Sequence, residues 1–519
     1  MLRPEAYPHP VSSIQLLQTH MSWVLLTGDY VYKLKRPVRF AFADFSDPAH
    51  RAWLCAEELR LNRHYAPSLY LDVVAVRRDP RDGEARIGPD GPILEHAVRM
   101  RQFDRRDELA TLVAAGAVAA TEFREFGVAL AIQHRALPTL PTDAPFGSPA
   151  AVARTLRRNL AEWYLQAPDG PVRLRLRRQL AHRLRGARDA LAARHRGGHV
   201  RECHGDLHLS NLVRLDGRIT PFDALEFEPA FRHVDVADEV TFLAADLRGY
   251  GRADLAHAFL DGYLDESGDH ELLRVLDLYL LHRSLVRAKV MAIRARDGAD
   301  AGRARQWRER EADFVALALR VGEPREPRLL LMQGLSGSGK SWLARRLAPR
   351  LDAVHLRSDR ERKRLAGLAP LAASGSPTGG GLYASDLTAR TYARLRDCAD
   401  AALAGGHDVI CDATFLLRAQ RAGFVALAAK HGVRAMLLRC DASDAVLRTR
   451  IESRRTAAND PSEADASVLD WQRARLEPPS DDEGLGVFAI DTGAEDPVGQ
   501  ALRALGADAP AAADGGPRA

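Results

Sequence analysis

The stretch Gly334-Leu335-Ser336-Gly337-Ser338-Gly339-Lys340-Ser341 fits the pattern G-x-x-x-x-G-K-[ST]. The apolar run 329–333 before it predicts a buried strand, and the run 342–347 after it predicts a helix. Glycines let backbone N–H groups turn inward around phosphate, and the start of a helix favours negative charge. The sequence therefore predicts a phosphate-binding loop of the P-loop type within an α/β domain.

In this pattern the lysine reaches the β- and γ-phosphates of a nucleotide, and the serine holds Mg²⁺. We therefore expect Lys340 to contact ATP and Ser341 to ligate the metal. The remaining residues of the loop are expected to contact the nucleotide mainly through their backbone: Gly334, Leu335, Ser336, Gly337, Ser338 and Gly339. The motif indicates nucleotide binding without naming a reaction.

Length and composition set the limits of the interpretation. The 519 residues are enough for two or three domains, and a formal net charge of +5 is small for this length. Acids and arginines are interspersed, so the charge pattern does not indicate a general nucleic-acid surface. The chain has six lysines against 68 arginines, and four of the six (Lys33, Lys35, Lys340 and Lys363) lie in stretches that we assign to phosphate chemistry.

The five cysteines are scattered without a C-x-x-C pair, which argues against a disulfide framework or a zinc site. No apolar run of about 18 residues occurs, so we expect no membrane partner. A cytoplasmic location fits both observations.

The N-terminal residues 12–35 predict short strands, the last of which is Tyr30–Lys35. A strand lysine that pairs with a helix glutamate holds ATP phosphates in kinase-like lobes. Alternation places Lys33 and Lys35 on one face, so both remain candidates, and we prefer Lys33 because it follows the turn more closely. On the predicted helix 51–65, Glu58 is our choice of partner, with Glu57 an equal alternative.

A second motif lies at Cys203-His204-Gly205-Asp206-Leu207-His208-Leu209-Ser210-Asn211. An Asp followed five positions later by an Asn has the spacing of a kinase catalytic loop, in which the Asp accepts the proton of the attacking hydroxyl. Twelve residues further on, Asp223 ends a short apolar run, where a metal-holding carboxylate is expected. Asp206 is therefore the candidate catalytic residue, and Asn211 and Asp223 are candidate metal ligands.

This constellation resembles the aminoglycoside phosphotransferase and choline-kinase-like family over roughly residues 10–320. The resemblance implies a two-lobed fold, ATP and Mg²⁺ as cofactors, Asp206 as the base and Lys33 on the ATP phosphates. The sequence departs from the kinase pattern in two places. No G-x-G-x-x-G lies between the first two strands, and Ala224-Leu225-Glu226 follows Asp223 in place of Phe-Gly.

After the P-loop, two predicted strands end in acids. Asp359 follows the strand 353–357 and is our candidate for activating an acceptor hydroxyl, because carboxyl ends of parallel strands border the nucleotide crevice. Asp412 ends the strand 408–412 and is a candidate Mg²⁺ ligand. On the predicted helix 445–455, Arg450 and Arg454 share a face and are expected to neutralise charge on the transferred phosphoryl group.

The order of these features resembles the zeta-toxin and polynucleotide-kinase-like P-loop kinases over roughly residues 326–495. Together the two halves resemble bacterial bifunctional aminoglycoside phosphotransferase/ATP-binding proteins. The predicted fold class is a multidomain chain, in which an α+β two-lobed protein-kinase-like domain precedes an α/β P-loop domain with a parallel sheet. The expected boundaries are 1–321, a Pro-containing linker 322–328, 329–505, and a disordered tail 506–519.

The sequence thus predicts an ATP- and Mg²⁺-dependent phosphotransferase with two separate nucleotide sites and small-molecule acceptors. Two alternatives stay open. The chain could be a nucleotide-sensing regulatory ATPase that forms no phosphorylated product, or the second domain could phosphorylate a nucleic-acid end, which predicts salt-sensitive oligonucleotide binding.

Overall fold

The N-terminal lobe is an antiparallel sheet with a long helix packed on it. The computed structural model describes residues 1–40, 43–167, 170–297, 300–369, 372, 381–457 and 466–507, without the side chains of residues 40, 43, 383, 454–457 and 466–467. The elements of this lobe are β1 (Gln15–Gln18), β2 (Ser22–Leu26), β3 (Tyr30–Lys35), β4 (Arg39–Phe40), β5 (Ala43–Asp44), α1 (Pro48–Tyr65), β6 (Tyr70–Arg78), β7 (Ala85–Ile87) and β8 (Ile93–Arg101). The sheet order is β1-β2-β3-β8-β6-β7, so β3 lies at its centre.

Helix α1 begins where the sequence supplies a cap. The carboxylate of Asp47 accepts hydrogen bonds from the N–H groups of Ala49 and His50, and Pro48 takes the first helical position. The helix packs on β6 and β8. This packing turns Glu58, which is fully buried, toward the centre of the lobe.

The second lobe is mainly helical. Its elements are α2 (Leu109–Ala114), α3 (Ala120–Ala136), α4 (Pro149–Tyr164), α5 (Pro171–Gly186), α6 (Arg188–Arg196), β9 (Val200–Glu202), β10 (Leu212–Leu215), β11 (Arg218–Pro221), α7 (Pro229–Arg232), β12 (His233–Asp235), α8 (Val236–Gly249), α9 (Ala253–Ser267), α10 (Leu273–Arg296) and α11 (Ala301–Gly322). Helices α8 and α10 are buried along most of their length and pack against each other under the loop 203–211.

The third part is a parallel sheet flanked by helices. Its elements are β13 (Leu329–Gln333), α12 (Lys340–Leu351), β14 (Val354–Arg357), α13 (Ser358–Leu365), α14 (Ser385–Gly405), β15 (Val409–Asp412), α15 (Arg418–His431), β16 (Ala435–Asp441), α16 (Asp444–Ala457), α17 (Ala466–Arg473), β17 (Gly486–Asp491) and α18 (Pro497–Ala504). The strand order is β14-β15-β13-β16-β17, with every pair parallel. The predicted fold class is confirmed: an α+β two-lobed kinase-like domain precedes an α/β P-loop domain.

Residues 323–328 connect α11 to β13. Of the predicted tail, Gly506 and Ala507 follow α18, and the prediction for 508–519 lies outside the described residues. Among the described helices, none is both long enough and apolar enough to cross a membrane.

The two domains are packed together rather than separated by a flexible joint. One core of buried apolar residues runs through both, and α10 packs on α14. Arg248 of α8 forms a bidentate ion pair with Asp352, at 2.9 and 2.8 Å, across the boundary. The two domains therefore belong to one continuous structure.

Candidate functional site

The strand lysine Lys33 lies at the meeting point of the two lobes. Its Nζ donates to Glu58 Oε1 at 2.8 Å and forms a short ion pair with Asp223. Glu58 comes from α1 and Asp223 from the segment after β11, so this lysine joins residues from three elements. The Lys33 side chain is 13% exposed, so it is not fully buried in the lobe.

Lys35, the alternative candidate, has a different environment. It donates to the other oxygen of Glu58 at 2.5 Å and pairs with Glu226, and its side chain is only 2% exposed. The two lysines share one face of β3, as the alternation predicted, yet Lys33 faces the cleft and Lys35 faces the interior. Burial opposes ionisation of Glu58, but the two lysine charges outweigh it and lower its pKa to about 2. Glu57 instead contacts Arg60 and Arg232 outside this cluster.

Asp206 and Asn211 are brought together by the short turn between them. The Asn211 amide donates to the Asp206 carboxylate at 2.9 Å and to the Asp206 carbonyl at 3.0 Å. His208 Nε2 lies 3.3 Å from the same carboxylate. Burial raises the pKa of Asp206, but His208, His204 and Arg287 together lower it, so the pKa is held well below the ordinary value. Asp206 is therefore an anion near neutral pH.

The hairpin of β10 and β11 explains why Asn211 and Asp223 lie at the same place. Leu212 pairs with Pro221 at the open end of the hairpin, so the residues that flank the hairpin are neighbours. The Phe222 N–H donates to the Asn211 carbonyl at 3.0 Å. The eleven residues between the two candidate ligands thus form the hairpin that joins them.

Asp223 has a backbone conformation that is unusual for a residue with a side chain. Its φ is 65°, in the left-handed region, and its N–H donates to the Tyr70 hydroxyl at 3.0 Å. The carboxylate is 43% exposed and turns toward Lys33. Strain of this kind persists where the surroundings hold it, often at functional sites.

A buried glutamate supports the loop from below. Glu239, in the first turn of α8, accepts hydrogen bonds from the N–H groups of His204 (2.9 Å) and Gly205 (3.1 Å). Gly205 has φ +83°, and a side chain there would meet the Phe231 carbonyl at 2.9 Å. The loop that carries Asp206 is therefore fixed by α8 and by the segment before β12.

The residues present fit Mg²⁺ in this first site. The Asn211 side-chain nitrogen is engaged with Asp206, so its side-chain oxygen Oδ1 is the available acceptor. The partly exposed Asp223 follows Phe222, whose N–H is bonded to the Asn211 backbone carbonyl. Carboxylate and amide oxygens are the ligands that Mg²⁺ prefers.

The predicted phosphate loop lies between β13 and α12, where the motif requires it. Gly337 and Gly339 have φ of +84° and +81°, and a Cβ at Gly337 would meet the Leu447 carbonyl at 2.6 Å. Thr492 donates to the Ser338 carbonyl at 2.7 Å, and Gln472 accepts from the Ser336 N–H at 2.8 Å. The loop is thus held in a curled conformation by α16, α17 and the end of β17.

Asp412 ends β15, which is paired with β13, and lies beside the start of α12. Burial raises its pKa, but His355 together with Lys340 and Ser341 lowers it below the ordinary value. His355 Nε2 is 3.3 Å from Asp412 Oδ2, whereas the buried Oδ1 has no hydrogen-bond partner among the described residues. An unpartnered buried carboxylate oxygen next to Ser341 fits a metal ligand.

Asp359 lies in the first turn of α13, at the carboxyl end of β14. Strands β14 and β15 are parallel neighbours with Arg357 opposite Asp412, so Asp359, two residues after Arg357, lies at the same end of the sheet as Asp412. The Tyr392 hydroxyl accepts from the Phe415 N–H at 3.1 Å and lies 3.4 Å from Thr414 Oγ1, just after Asp412. The predicted acids of the second site therefore lie at one edge of the sheet.

Arg450 lies against the back of the phosphate loop. Its guanidinium donates to the Thr492 carbonyl at 2.9 Å and to Thr492 Oγ1 at 3.0 Å, and Nη1 reaches the Gly337 carbonyl at 3.5 Å. These contacts brace the loop in this structure. Arg454 lies on the same helix, and its side chain is outside the described residues.

Comparison with known proteins covers nearly the whole chain. Over 475 residues the sequence is 31% identical to Uncharacterized protein Rv2004c of Mycobacterium tuberculosis (strain ATCC 25618 / H37Rv). The matched segment covers 90% of this chain and 92% of that relative. Uncharacterized protein Mb2027c of Mycobacterium bovis matches with the same identity and coverage. The chain belongs to this family. Within the chain, residues 329–479 match a family model described as AAA domain.

Several solved structures each resemble one part of this chain. The N-terminal region is similar to an amicoumacin kinase in complex with AMP-PNP, Ca²⁺ and Ami (14% identity, 60% of this chain and 90% of that chain, TM-score 0.37). It is also similar to a choline kinase from Cryptosporidium parvum (9% identity, 59% of this chain and 88% of that chain, TM-score 0.35). The second domain is similar to a putative kinase from Chloroflexus aurantiacus (21% identity, 35% and 96% coverage, TM-score 0.28).

Several residues of the two sites were not singled out from the sequence. His208 was visible two positions after Asp206 in the quoted motif, and His355 lay on a predicted strand. Glu226, Gln472 and Thr492 gave no local signal, because their partners are 136 to 191 positions away in the chain. Contacts over such separations follow from the fold rather than from spacing.

Proposed function

We propose that this protein is a two-module phosphotransferase that uses ATP and Mg²⁺. The first module transfers the γ-phosphoryl group to a hydroxyl of a small molecule, and the second is a P-loop kinase whose acceptor is open. The observation that carries the proposal is the convergence of Lys33, Asp223, Asn211 and Asp206, drawn from distant parts of the chain, at one cleft.

In the first module Asp206 receives the proton of the acceptor hydroxyl. The acceptor oxygen then forms a bond to the γ-phosphorus, the bond between that phosphorus and the β–γ bridging oxygen breaks, and ADP leaves. Because the pKa of Asp206 is held low, the carboxylate stays ionised and orients the hydroxyl across the neutral pH range. A loose transition state needs positioning and charge neutralisation more than a strong base.

Lys33 would contact the ATP phosphates once nucleotide enters, held in place by Glu58. Asn211 and Asp223 would hold Mg²⁺, which neutralises phosphate charge when bound. In the second module Lys340 would take the equivalent position, Ser341 and Asp412 would hold the metal, and Asp359 would orient the acceptor hydroxyl. These roles agree with the placement of each side chain at the edge of its cleft.

A regulatory ATPase is a second candidate because one chain of contacts links the second site to the first domain. His355 Nε2 lies 3.3 Å from Asp412 Oδ2, and its Nδ1 accepts a hydrogen bond from Arg357 Nε at 3.4 Å. Arg357 in turn lies 3.5 Å from Asp261 and 3.4 Å from Asp265 of α9. ATP hydrolysis in the second domain could then act on the first.

Product analysis distinguishes these functions. The full chain is incubated with ATP, Mg²⁺ and a library of hydroxyl compounds, and products are identified by mass spectrometry. We expect a phosphorylated product that is lost in Asp206→Asn and a second one, where formed, that is lost in Asp359→Asn. Release of inorganic phosphate alone would support the regulatory ATPase and overturn the phosphotransferase.

A further inference from the structure

Helix α10 carries arginines on the face that it turns toward the catalytic loop. Arg283, Arg287 and Arg294 are four and seven residues apart, a spacing that places them on one side of a helix. Arg287 Nε lies 2.7 Å from Asp246 Oδ1, and the other oxygen of Asp246 accepts the Leu209 N–H at 2.9 Å. The middle arginine of the row is therefore linked, through Asp246, to the loop that carries Asp206.

The first two arginines of the row are paired with buried acids. Arg283 forms a bidentate ion pair with Asp238, at 2.7 and 3.0 Å, and Arg287 pairs with Asp246. Each buried positive charge is thus balanced by one carboxylate. These pairs contribute no free charge to the acceptor side of the cleft.

Arg294 differs from the other two. It forms no ion pair with any described residue, and its guanidinium lies over the Trp307 ring at 5.1 Å from the centroid. On the neighbouring helix, Arg310 lies over Tyr250 at 4.3 Å, with its nearest carboxylate, Asp313, at 4.0 Å. Aromatic faces hold these two cations in place without cancelling their charge.

The electrostatic environment agrees with this geometry. Burial and the charge of Arg287 lower the pKa of Arg294, while Tyr250 and Asp206 act in the opposite direction, so Arg294 is within reach of the field of Asp206. An acceptor bound at Asp206 therefore meets the charge of Arg294, which no carboxylate of the described residues neutralises.

We propose that the acceptor of the first module is a small hydroxyl compound that carries an oxyanion, a phosphate or a carboxylate, and that Arg294 is the residue that recognises this group. A planar guanidinium binds such oxyanions through two parallel hydrogen bonds. A polycationic acceptor would instead bring like charges together at Arg294 and Arg310. This inference rests on the proposed phosphotransfer at Asp206.

The test uses the full chain with the second site silenced by Lys340→Ala, so that products report the first module. Matched acceptor panels are compared with ATP and Mg²⁺: sugar phosphates, hydroxy acids, the corresponding neutral sugars, and cationic amino alcohols and aminoglycosides. We expect phosphorylated products from the phosphate or the carboxylate panel, and the panel that reacts identifies the anion. Products from the cationic panel alone would overturn the inference while leaving the phosphotransfer intact.

The second measurement assigns the role of Arg294. With the reactive acceptor, Arg294→Gln should raise KM for the acceptor about tenfold or more while changing kcat little, since a charged hydrogen bond is lost from binding. Arg294→Lys should recover part of the loss, and Arg296→Gln, on the same helix beside Asp297, is the matched control.

A KM within about twofold of the parent protein in Arg294→Gln would overturn the assignment of Arg294. Absence of a product from every panel with Asp206 intact would overturn the proposed phosphotransfer of the first module and the inference with it. The Asp206→Asn variant shows whether a product depends on the first site at all.

Discussion

Glu58 is shared by two lysines that stand two positions apart on β3. One carboxylate oxygen accepts from Lys33 at 2.8 Å and the other from Lys35 at 2.5 Å. Lys35 and Glu226 extend the cluster into the interior, and Asp223 extends it toward the cleft. The same glutamate therefore belongs to a structural ion pair and to the candidate ATP site.

Replacing the two lysines should separate these roles. Lys35→Met leaves Glu226 buried without its lysine partner and Glu58 paired with Lys33 alone. Breaking a buried ion pair in this way costs about 3–5 kcal/mol of the free energy of unfolding. Lys33→Met leaves Glu58 paired with Lys35, so we expect a much smaller loss of stability but a loss of phosphorylated product. Urea unfolding together with the product assay measures both, and equal stability of the two variants would contradict this picture.

The loop beneath Asp206 should make stability depend on pH. Burial raises the pKa of Glu239 from 4.5 to about 7, although Arg283 and the loop N–H groups act in the opposite direction. Between pH 4.5 and about 7 the folded protein therefore keeps a proton on Glu239 that the unfolded chain has released. The stabilisation of the folded state by this proton is complete below pH 4.5 and is lost as the pH rises to about 7.

Glu239→Gln removes this titration while its amide oxygen can still accept from the loop. Relative to the variant, the parent protein should lose about 3 kcal/mol of unfolding free energy across that pH range. Chemical unfolding of both proteins at a series of pH values is the measurement. A difference that stays constant with pH would mean that Glu239 is ionised throughout.

Hairpins and helix contacts position the remaining site residues. The β10–β11 hairpin brings Asn211 to Phe222, next to Asp223, and α16 with the end of β17 closes around the phosphate loop. In both cases a short element places groups that are separated in the sequence. The phosphate loop depends on this support because its backbone passes within contact distance of α16.

Gly337→Ala tests that contact. The alanine would have to keep a φ of +84°, and its Cβ would lie 2.6 Å from the Leu447 carbonyl oxygen. The loop or α16 must therefore shift. We expect affinity for a non-hydrolysable ATP analogue at the second site to fall about tenfold or more. Calorimetric titration with the analogue measures this affinity. The protein also carries Lys33→Met, which weakens the first site, so that the second site is observed alone.

The matched control for this variant is Gly367→Ala, with φ +70° and open space around the new Cβ. It shares the backbone penalty of about 1–2 kcal/mol without the contact. Unchanged affinity in Gly337→Ala would show that α16 does not shape the loop.

The whole molecule is organised around a core that both domains share. Helix α10 runs under the first site and packs on α14 of the second domain, and Arg248 with Asp352 closes the boundary. Gly405 in α14 makes this approach close, because a Cβ there would lie 2.3 Å from the Leu273 carbonyl. Burial of a common apolar core couples the stability of the two domains.

Gly405→Ala should loosen the domain contact. Overpacking at such a site costs about 1–3 kcal/mol, and here the neighbour is backbone, which yields less readily than a side chain. We expect faster hydrogen exchange in α10 and α14 and a broader or divided thermal unfolding transition. Ala404→Ser, at the neighbouring exposed position, is the control, and unchanged exchange in Gly405→Ala would argue against a shared folding unit.

The local motifs were sufficient to predict the phosphate loop and the grouping of Asp206, Asn211 and Asp223, because each depends on backbone geometry within a few residues or one hairpin. The two-lobed fold was predicted from the family resemblance that these motifs carry. The choice between Lys33 and Lys35, and between Glu57 and Glu58, could not be made from alternation or helical spacing. Those choices depend on Asp223, Glu226 and Arg232, which approach only after the lobes have packed. The contact between the two domains likewise has no local sequence signature; it depends on Arg248, Arg357 and Gly405. Residues that pack together but lie far apart in the chain are selected by the folded shape and not by their neighbours in sequence.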